Sequence, residues 1–153
     1  MRVTPFLIAT SGVLLAAGAA DLSARWADES AIRQTIQYYF DGGKNRDSLT
    51  LRKAFHPEAR MLFAREGKLV VVPIGEYITR VGSEQLKPGE VDSTERKLVS
   101  VDVAGDAAVA KIALRRPDAH LTDYMSLLKV DGRWLIVNKI FARDTRPEHA
   151  GGS

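Results

Sequence analysis

The sequence predicts a single α+β domain in which N-terminal helices pack on one face of a curved antiparallel sheet. Helical periodicity is concentrated before residue 83, and four long strand-like segments follow it. The dipeptides Gly105-Asp106 and Asp131-Gly132 lie between those segments, and both are typical of tight hairpin turns. The chain has 153 residues, of which 45% are hydrophobic and 27% charged, a size and composition that suit one core.

The first twenty residues form a separate segment. Arg2 precedes an apolar stretch, and Ala17-Gly18-Ala19 fits the small-residue pattern of a signal-peptidase site. We therefore predict a signal peptide over 1–20, cleaved after Ala19 or Ala20, and a periplasmic or secreted protein. The alternative is an uncleaved anchor, so membrane contact is expected only if the segment is retained. Residues 21–27 are interpreted as a linker.

Three helices are predicted after that linker. The first begins near Asp28 and carries apolar residues at helical spacing until Gly42-Gly43. The second covers 48–55, capped by Ser48, and ends at His56-Pro57. The third covers 75–83.

Six strands complete the predicted domain, which spans 28–143. Two short strands meet around Glu66-Gly67, and the four longer ones form two hairpins. The segment 144–153 is expected to be a flexible tail. The strands are 59–65, 68–74, 93–103, 108–116, 121–130 and 133–143.

The register of the last hairpin follows if Asp131-Gly132 are its two loop residues. Opposed residues share a sheet face, so Met125 should face Asn138 and Asp123 should face Ile140. We expect this face under the helices, and the opposite face to form a homodimer interface. The opposite face comprises Tyr124, Ser126, Leu128, Leu135, Val137, Lys139 and Phe141.

In the preceding hairpin, the face predicted to meet the helices comprises Val99, Val101, Val103, Ala108, Ala110, Ile112 and Leu114, and its reverse carries Arg96.

Asp123 is the unexpected residue in this pattern, because a carboxylate on an apolar face is costly without partners. Two interpretations remain open. Asp123 is either a core residue satisfied by a backbone or tyrosine donor, or a ligand-contacting group in a pocket.

The segments "YYFDGGKNRD", "AFHPEARM" and "DYMSLLKVDGRWLIVNKIF" together resemble the nuclear transport factor 2-like superfamily, which includes SnoaL-like, ketosteroid isomerase and lumazine-binding-like proteins. The resemblance implies a cone with a pocket and dimerisation through the sheet. It also places Tyr39 and Asp123 where the isomerases have an oxyanion-binding tyrosine and neutral acid. The isomerases' general base has no counterpart, since its position falls near Phe63.

Three functions are therefore weighed. The first is an exported domain that binds a small apolar or aromatic ligand in an apolar pocket. The second is an isomerase, dehydratase or cyclase using Asp123 with Tyr39 or His56. The third is a non-catalytic dimeric interaction module. Residues expected to contact a ligand are Met61, Phe63, Tyr77, Met125, Asn138 and Ile140.

Composition argues against other classes. There is no cysteine, and the three histidines show no metal-binding spacing, so no metal or cofactor is expected. The net charge of +3 is spread along the chain without a Lys/Arg run, so no nucleic-acid binding is expected.

Overall fold

The computed structural model describes residues 13–84 and 86–144, with side chains from Leu22 onward. The predicted signal segment up to residue 12 and the predicted tail from residue 145 lie outside these residues. The elements are α1 (Val13–Asn45), α2 (Ser48–Ala54), β1 (Phe55–Arg65), β2 (Lys68–Pro73), α3 (Ile74–Ser83), β3 (Glu95–Ala104), β4 (Ala107–Arg115), β5 (His120–Val130) and β6 (Arg133–Asp144).

Helix α1 is much longer than the sequence prediction. It already includes residues 13–27, so the segment interpreted as a linker is helical. The physical reason is a run rich in Ala and Leu with no proline, which favours helix throughout. Asp28 does not cap the helix. Its Oδ1 instead accepts hydrogen bonds from Lys129 Nζ at 2.6 Å and Trp134 Nε1 at 2.9 Å, and these bonds lower the pKa of Asp28.

The end of α1 also differs from the prediction, because the helix continues through Gly42-Gly43 to Asn45. Gly42 serves a packing role, since a Cβ at this position would lie 2.7 Å from Leu51 Cγ and from the Leu51 backbone nitrogen. Its absence allows α2 to approach α1. The N-cap of α2 is Asp47, not Ser48. Asp47 Oδ1 accepts from the backbone nitrogens of Leu49 and Thr50 at 2.9 and 3.2 Å.

The strands form one curved, unclosed sheet in the order β2-β1-β6-β5-β4-β3. The α+β cone, the two tight hairpins and the pair of short strands around Glu66-Gly67 predicted from the sequence are confirmed. One pairing departs from the antiparallel prediction, because β1 runs parallel to β6 and begins at Phe55, before His56-Pro57. At the last turn, Asp131 and Gly132 have φ values of 49° and 75°, the positive pair that tight hairpins require.

Two β-bulges overturn the predicted faces. Leu127 faces Ile136, as a two-residue loop at Asp131-Gly132 requires, but Ser126 faces Asn138, so Val137 is an extra residue in β6. Beyond it, Met125 faces Lys139 rather than Asn138, and Asp123 faces Phe141 rather than Ile140.

The second bulge, at Val99 in β3, has a similar effect. Val99 is 47% exposed instead of facing the helices, and Arg96 pairs with Leu114, a buried residue of the core. The prediction that Arg96 lies on the reverse face is therefore wrong.

The core lies between the helices and the inner face of the sheet. Helix α1 contributes Ile32, Ile36 and Tyr39, all nearly inaccessible, and Thr35 Oγ1 donates to the Trp134 carbonyl at 2.7 Å. This packing fixes the middle of α1 against β6 and so places Tyr39 over the inner side of the sheet.

Candidate functional site

A cavity of about 620 Å³ opens between α3, β1 and β6. This volume is within the range of small-molecule sites. Its apolar and aromatic walls come from Tyr39, Met61, Phe63, Ala64, Tyr77, Leu114, Leu121, Phe141 and Ala142, and its cationic residues are Arg65, Arg80, Arg116, Lys139 and Arg143.

Four of the nine candidate site residues line this cavity, namely Tyr39, Met61, Phe63 and Tyr77. The structure separates the others from it. Met125 is fully buried in the core, and Asp123 is fully buried behind the cavity wall. The bulge turns Asn138 and Ile140 away from the cavity, and Ile140 is 45% exposed.

His56 lies in β1, outside the cavity lining. Its Nδ1 accepts a hydrogen bond from the Glu58 backbone nitrogen at 3.1 Å. This contact is local to the start of β1.

Tyr39 and Lys139 on the cavity wall form a buried triad with Asp123, which lies behind that wall. The Tyr39 hydroxyl donates to Asp123 Oδ2 at 2.8 Å. Lys139 Nζ donates to the same Oδ2 at 2.9 Å and to the Tyr39 oxygen at 2.6 Å. The side chains of Lys139 and Asp123 are only 5% and 0% exposed. Such charge-assisted bonds in a dry environment are strong.

The hydroxyl of Tyr39 keeps its proton within this triad. Burial, and then the neighbouring Tyr77 and Asp123 groups, raises the pKa of Tyr39 well above 10.0. Tyr39 therefore acts as a donor to Asp123 and an acceptor from Lys139, which fixes the direction of both bonds.

Lys139 is the residue that the sequence interpretation missed. It was assigned to the outer face, and the expected neighbour of Asp123 was Asn138, with the carboxyl kept as a neutral acid that donates to a ligand. The structure places an ammonium there instead, because of the bulge at Val137. The paired geometry favours the structural interpretation of Asp123. The one available indication was chemical: a buried carboxylate needs a cation, and Lys139 is nearby in sequence.

The mouth of the cavity is strongly cationic. Arg65 lies against the Phe63 ring, with Cζ 5.2 Å from its centroid, and Arg80 lies similarly against Tyr77 at 5.8 Å. Within the part of the chain that the structure describes, no Asp or Glu side chain lines this cavity. Asp118 accepts a hydrogen bond from Arg143 at 2.8 Å from outside the lining. The cavity therefore presents positive charge around an aromatic interior.

A second cavity of about 350 Å³ adjoins the first and shares Tyr39, Tyr77, Arg80, Leu114 and Arg116 with it. Its wall is more polar and includes an ion pair in which Arg96 Nη2 donates to Asp92 Oδ2 at 2.7 Å. Burial alone would raise the pKa of Asp92, but hydrogen bonds from Arg96 and Thr94 outweigh it and lower the pKa to about 2. This pair holds the loop before β3 against the sheet.

Among the described residues there is neither a group of metal-binding side chains nor a helix that could span a membrane. No three His, Asp or Glu side chains among residues 22–144, Gln85 excepted, are grouped so that they could hold a metal ion. None of α1, α2 and α3, as far as they are described, is both long enough and apolar enough to cross a bilayer.

Comparison with known proteins identifies the family. The model of the family described as "Putative lumazine-binding" matches residues 27–142, which is most of the chain. The chain belongs to this family.

Solved structures agree with this membership of the lumazine-binding family. A nuclear transport factor 2-like protein of unknown function from Shewanella baltica OS155 is 28% identical, with a TM-score of 0.69 over 78% of this chain and 96% of that one. A similar protein from Silicibacter pomeroyi DSS-3 is 21% identical, with a TM-score of 0.68 over 78% and 98%. Among curated proteins, the aldolase FrzH of Cladobotryum sp. is 20% identical over 115 residues, covering 75% of this chain and 90% of that protein.

Proposed function

We propose that this protein binds a small aromatic or otherwise flat molecule that carries a negative charge, and that it does so in the 620 Å³ cavity. One observation carries the proposal: the lining combines aromatic side chains with five cations and, among the described residues, no carboxylate. The sequence suggested an apolar or aromatic ligand. The arginines add the anionic group.

In this proposal the aromatic walls of the cavity bind the flat part of the ligand, and the arginines at its mouth bind the negative charge. Phe63 and Phe141 lie with ring centroids 4.9 Å apart, and Tyr77 faces the cavity near them, so a flat ligand can stack on aromatic surface. Arg80 and Arg116 offer guanidinium groups that bind carboxylate or phosphate in a bidentate manner. The family description, which names lumazine binding, supports a small-molecule ligand of this kind.

Binding is tested with 2-naphthoate and its uncharged analogue 2-naphthamide, by calorimetry and by the rise in melting temperature. We expect 2-naphthoate to bind and stabilise the protein, by about 2.7 kcal/mol at one hundred times its dissociation constant. The amide should bind at least about tenfold more weakly, since it lacks the charge. Equal affinities, or no binding of either compound, would contradict the proposal.

Matched variants locate the site. Arg80→Gln removes a guanidinium that lines the cavity, whereas Arg33→Gln removes one whose side chain is 56% exposed on α1. Only the first should weaken naphthoate binding. Mass spectrometry of molecules that co-purify with the protein from its native host would then identify the natural ligand.

A second candidate is an enzyme. The 20% identity to an aldolase and the presence of an amine, Lys139, on the cavity wall favour it. The geometry lends less support to the isomerase-type chemistry predicted from the sequence, because neither Asp123 nor His56 lines the cavity. The open cavity likewise favours ligand binding over a purely dimeric interaction module.

Export and dimerisation remain proposals. Cleavage near Ala19 or Ala20 would remove the first turns of α1, and N-terminal sequencing from the native host tests it. The outer sheet face supports dimerisation because it exposes Val109, Tyr124, Leu128 and Ile140 by 41 to 48%. Two residues assigned to this face contribute little to it: Leu135 is only 6% exposed, and Phe141 lines the cavity.

A further inference from the structure

Lys139 combines three properties that are seldom found in one lysine. Its side chain is 5% exposed, it lines the cavity, and it is bonded to both Tyr39 and Asp123. Buried lysines are costly, and apolar residues in place of the whole Asp123–Lys139 pair would leave the fold about as stable. The position therefore suggests a chemical use for the amine.

The nitrogen also lies among aromatic rings of the cavity wall. An ammonium has three N–H donors, and the hydrogen bonds found among the described residues occupy two of them. Three aromatic rings surround Nζ, with centroids at 4.9 Å for Tyr39, 5.5 Å for Phe141 and 5.6 Å for Tyr77. All three rings line the same cavity, so a bound molecule meets this nitrogen among aromatic surfaces.

We infer that Lys139 is a nucleophile that captures the carbonyl group of a bound aldehyde or ketone as an imine. The inference rests on the proposed function: the arginines hold the anionic end of the ligand, and the aromatic walls orient its flat part. The ligand class is accordingly an aromatic or conjugated carbonyl compound that carries a carboxylate or phosphate.

The triad can carry the proton transfers of this step. Asp123 takes a proton from the Lys139 ammonium, and the neutral amine attacks the carbonyl carbon. One of the amine protons moves to the carbonyl oxygen, which gives a neutral carbinolamine. The carbinolamine hydroxyl then leaves as water with the proton returned by Asp123, and the carbon–nitrogen double bond forms. One ammonium and one carbonyl thus give one protonated imine and one water, with Asp123 again a carboxylate and with no oxidant or reductant.

Burial favours the first of these transfers. A neutral acid beside a neutral amine costs less desolvation than two charges in a dry site. Lys139 Nζ already donates to Asp123 Oδ2 at 2.9 Å, so the proton moves along this bond, while Oδ1 is buried and has no hydrogen-bond partner among the described residues. The Tyr39 hydroxyl remains protonated and holds the carboxyl in place.

A second lysine provides a matched control. Lys111 on β4 also lies over a tyrosine, with Nζ 5.7 Å from the Tyr124 ring centroid, but Tyr124 belongs to the outer face. Lys111 does not line the cavity, and no carboxylate bonds it among the described residues. An amine near an aromatic ring, without the triad, is therefore available in the same sheet.

The test uses the full chain with 6-formyl-2-naphthoate and sodium cyanoborohydride, which reduces an imine to a stable amine. Intact mass should rise by the mass of the probe less one oxygen atom, and peptide mapping should place the label on Lys139. Labelling of Lys139 should be at least about tenfold faster than that of Lys111. Lys139→Arg, which keeps the positive charge, should abolish this fast labelling, whereas Lys111→Arg should not change it.

The outcomes separate the two proposals. If 2-naphthoate binds but Lys139 is labelled no faster than Lys111, the imine inference is wrong and ligand binding stands. If 2-naphthoate does not bind either, the proposed function itself fails. Fast labelling that persists in Lys139→Arg would also overturn the inference, because it would place the reactive amine elsewhere.

Discussion

Removing one charge of the buried Asp123–Lys139 pair should destabilise the protein far more than removing both. Asp123→Asn leaves the Lys139 ammonium without its carboxylate, and Lys139→Met leaves the carboxylate without its ammonium. Each single change should lower the free energy of unfolding by about 3 to 5 kcal/mol, because an unpaired charge remains in a buried site. The double variant should lie within about 1 to 2 kcal/mol of wild type.

Urea unfolding at neutral pH measures these differences. Trp134 is 3% exposed and Trp26 is 71% exposed, so the fluorescence change on unfolding reports chiefly on Trp134. A Trp26→Phe background removes the second signal. As a control, Glu29→Gln breaks a pair on α1 whose side chains are 56% and 39% exposed, and it should change stability by no more than about 0.5 kcal/mol.

The contrary result is equally informative. The sequence alone suggested that Asp123 is a neutral acid, for which Asp123→Asn would be neutral or stabilising. An Asp123→Asn protein as stable as wild type would therefore show that no charged pair exists. A double variant that loses the sum of the single losses would show that the two residues do not interact.

Three further outcomes are expected. Asp92→Asn should lower the free energy of unfolding by about 1 kcal/mol near neutral pH, and this loss should shrink on acidification. The lowered pKa of Asp92 stabilises the fold above the ordinary value of 3.8, and that stabilisation is lost as the pH falls through about 2. Thermal melts of both proteins at several pH values measure the difference. Thr35→Val should lower the free energy of unfolding by about 1 kcal/mol, because it removes the hydrogen bond to the Trp134 carbonyl. A loss in urea unfolding smaller than that of Glu29→Gln would refute this prediction. If the outer sheet face forms a dimer, Ile140→Lys should give monomers in sedimentation, whereas Leu69→Lys on the edge strand β2 should leave the dimer intact. A wild-type protein that sediments as a monomer would refute dimerisation.

Local signals were sufficient to predict most of the fold. The turns at Asp131-Gly132 and Glu66-Gly67 have positive φ values that their residue types accommodate, and strand periodicity located their partners. The start of α1 was missed because an apolar, alanine-rich segment has the same composition whether it is a signal peptide or a helix.

The candidate site was harder to predict because it depends on one irregularity. Tyr39, Met61, Phe63 and Tyr77 precede the bulge at Val137, and all four line the cavity. Asn138 and Ile140 follow it and were placed on the wrong face, since a shift of one residue exchanges the two faces of a strand. The bulge brings Lys139 to Asp123 on the neighbouring strand, so no hydrophobic pattern within β6 itself indicated it.

The bulge also means that the same β6 sequence has two self-consistent alignments with β5. Without the extra residue, Asn138 and Ile140 would face inward and Lys139 would face outward, and this alternative is no less apolar than the observed one. Hydrophobicity alone therefore does not choose between the two alignments. Asp123 does, because only the bulged alignment gives its carboxylate a cation. The ion pair therefore contributes more to the choice of one alignment than to stability. A protein that lacks both charges would remain folded but would no longer favour the bulged alignment over the other.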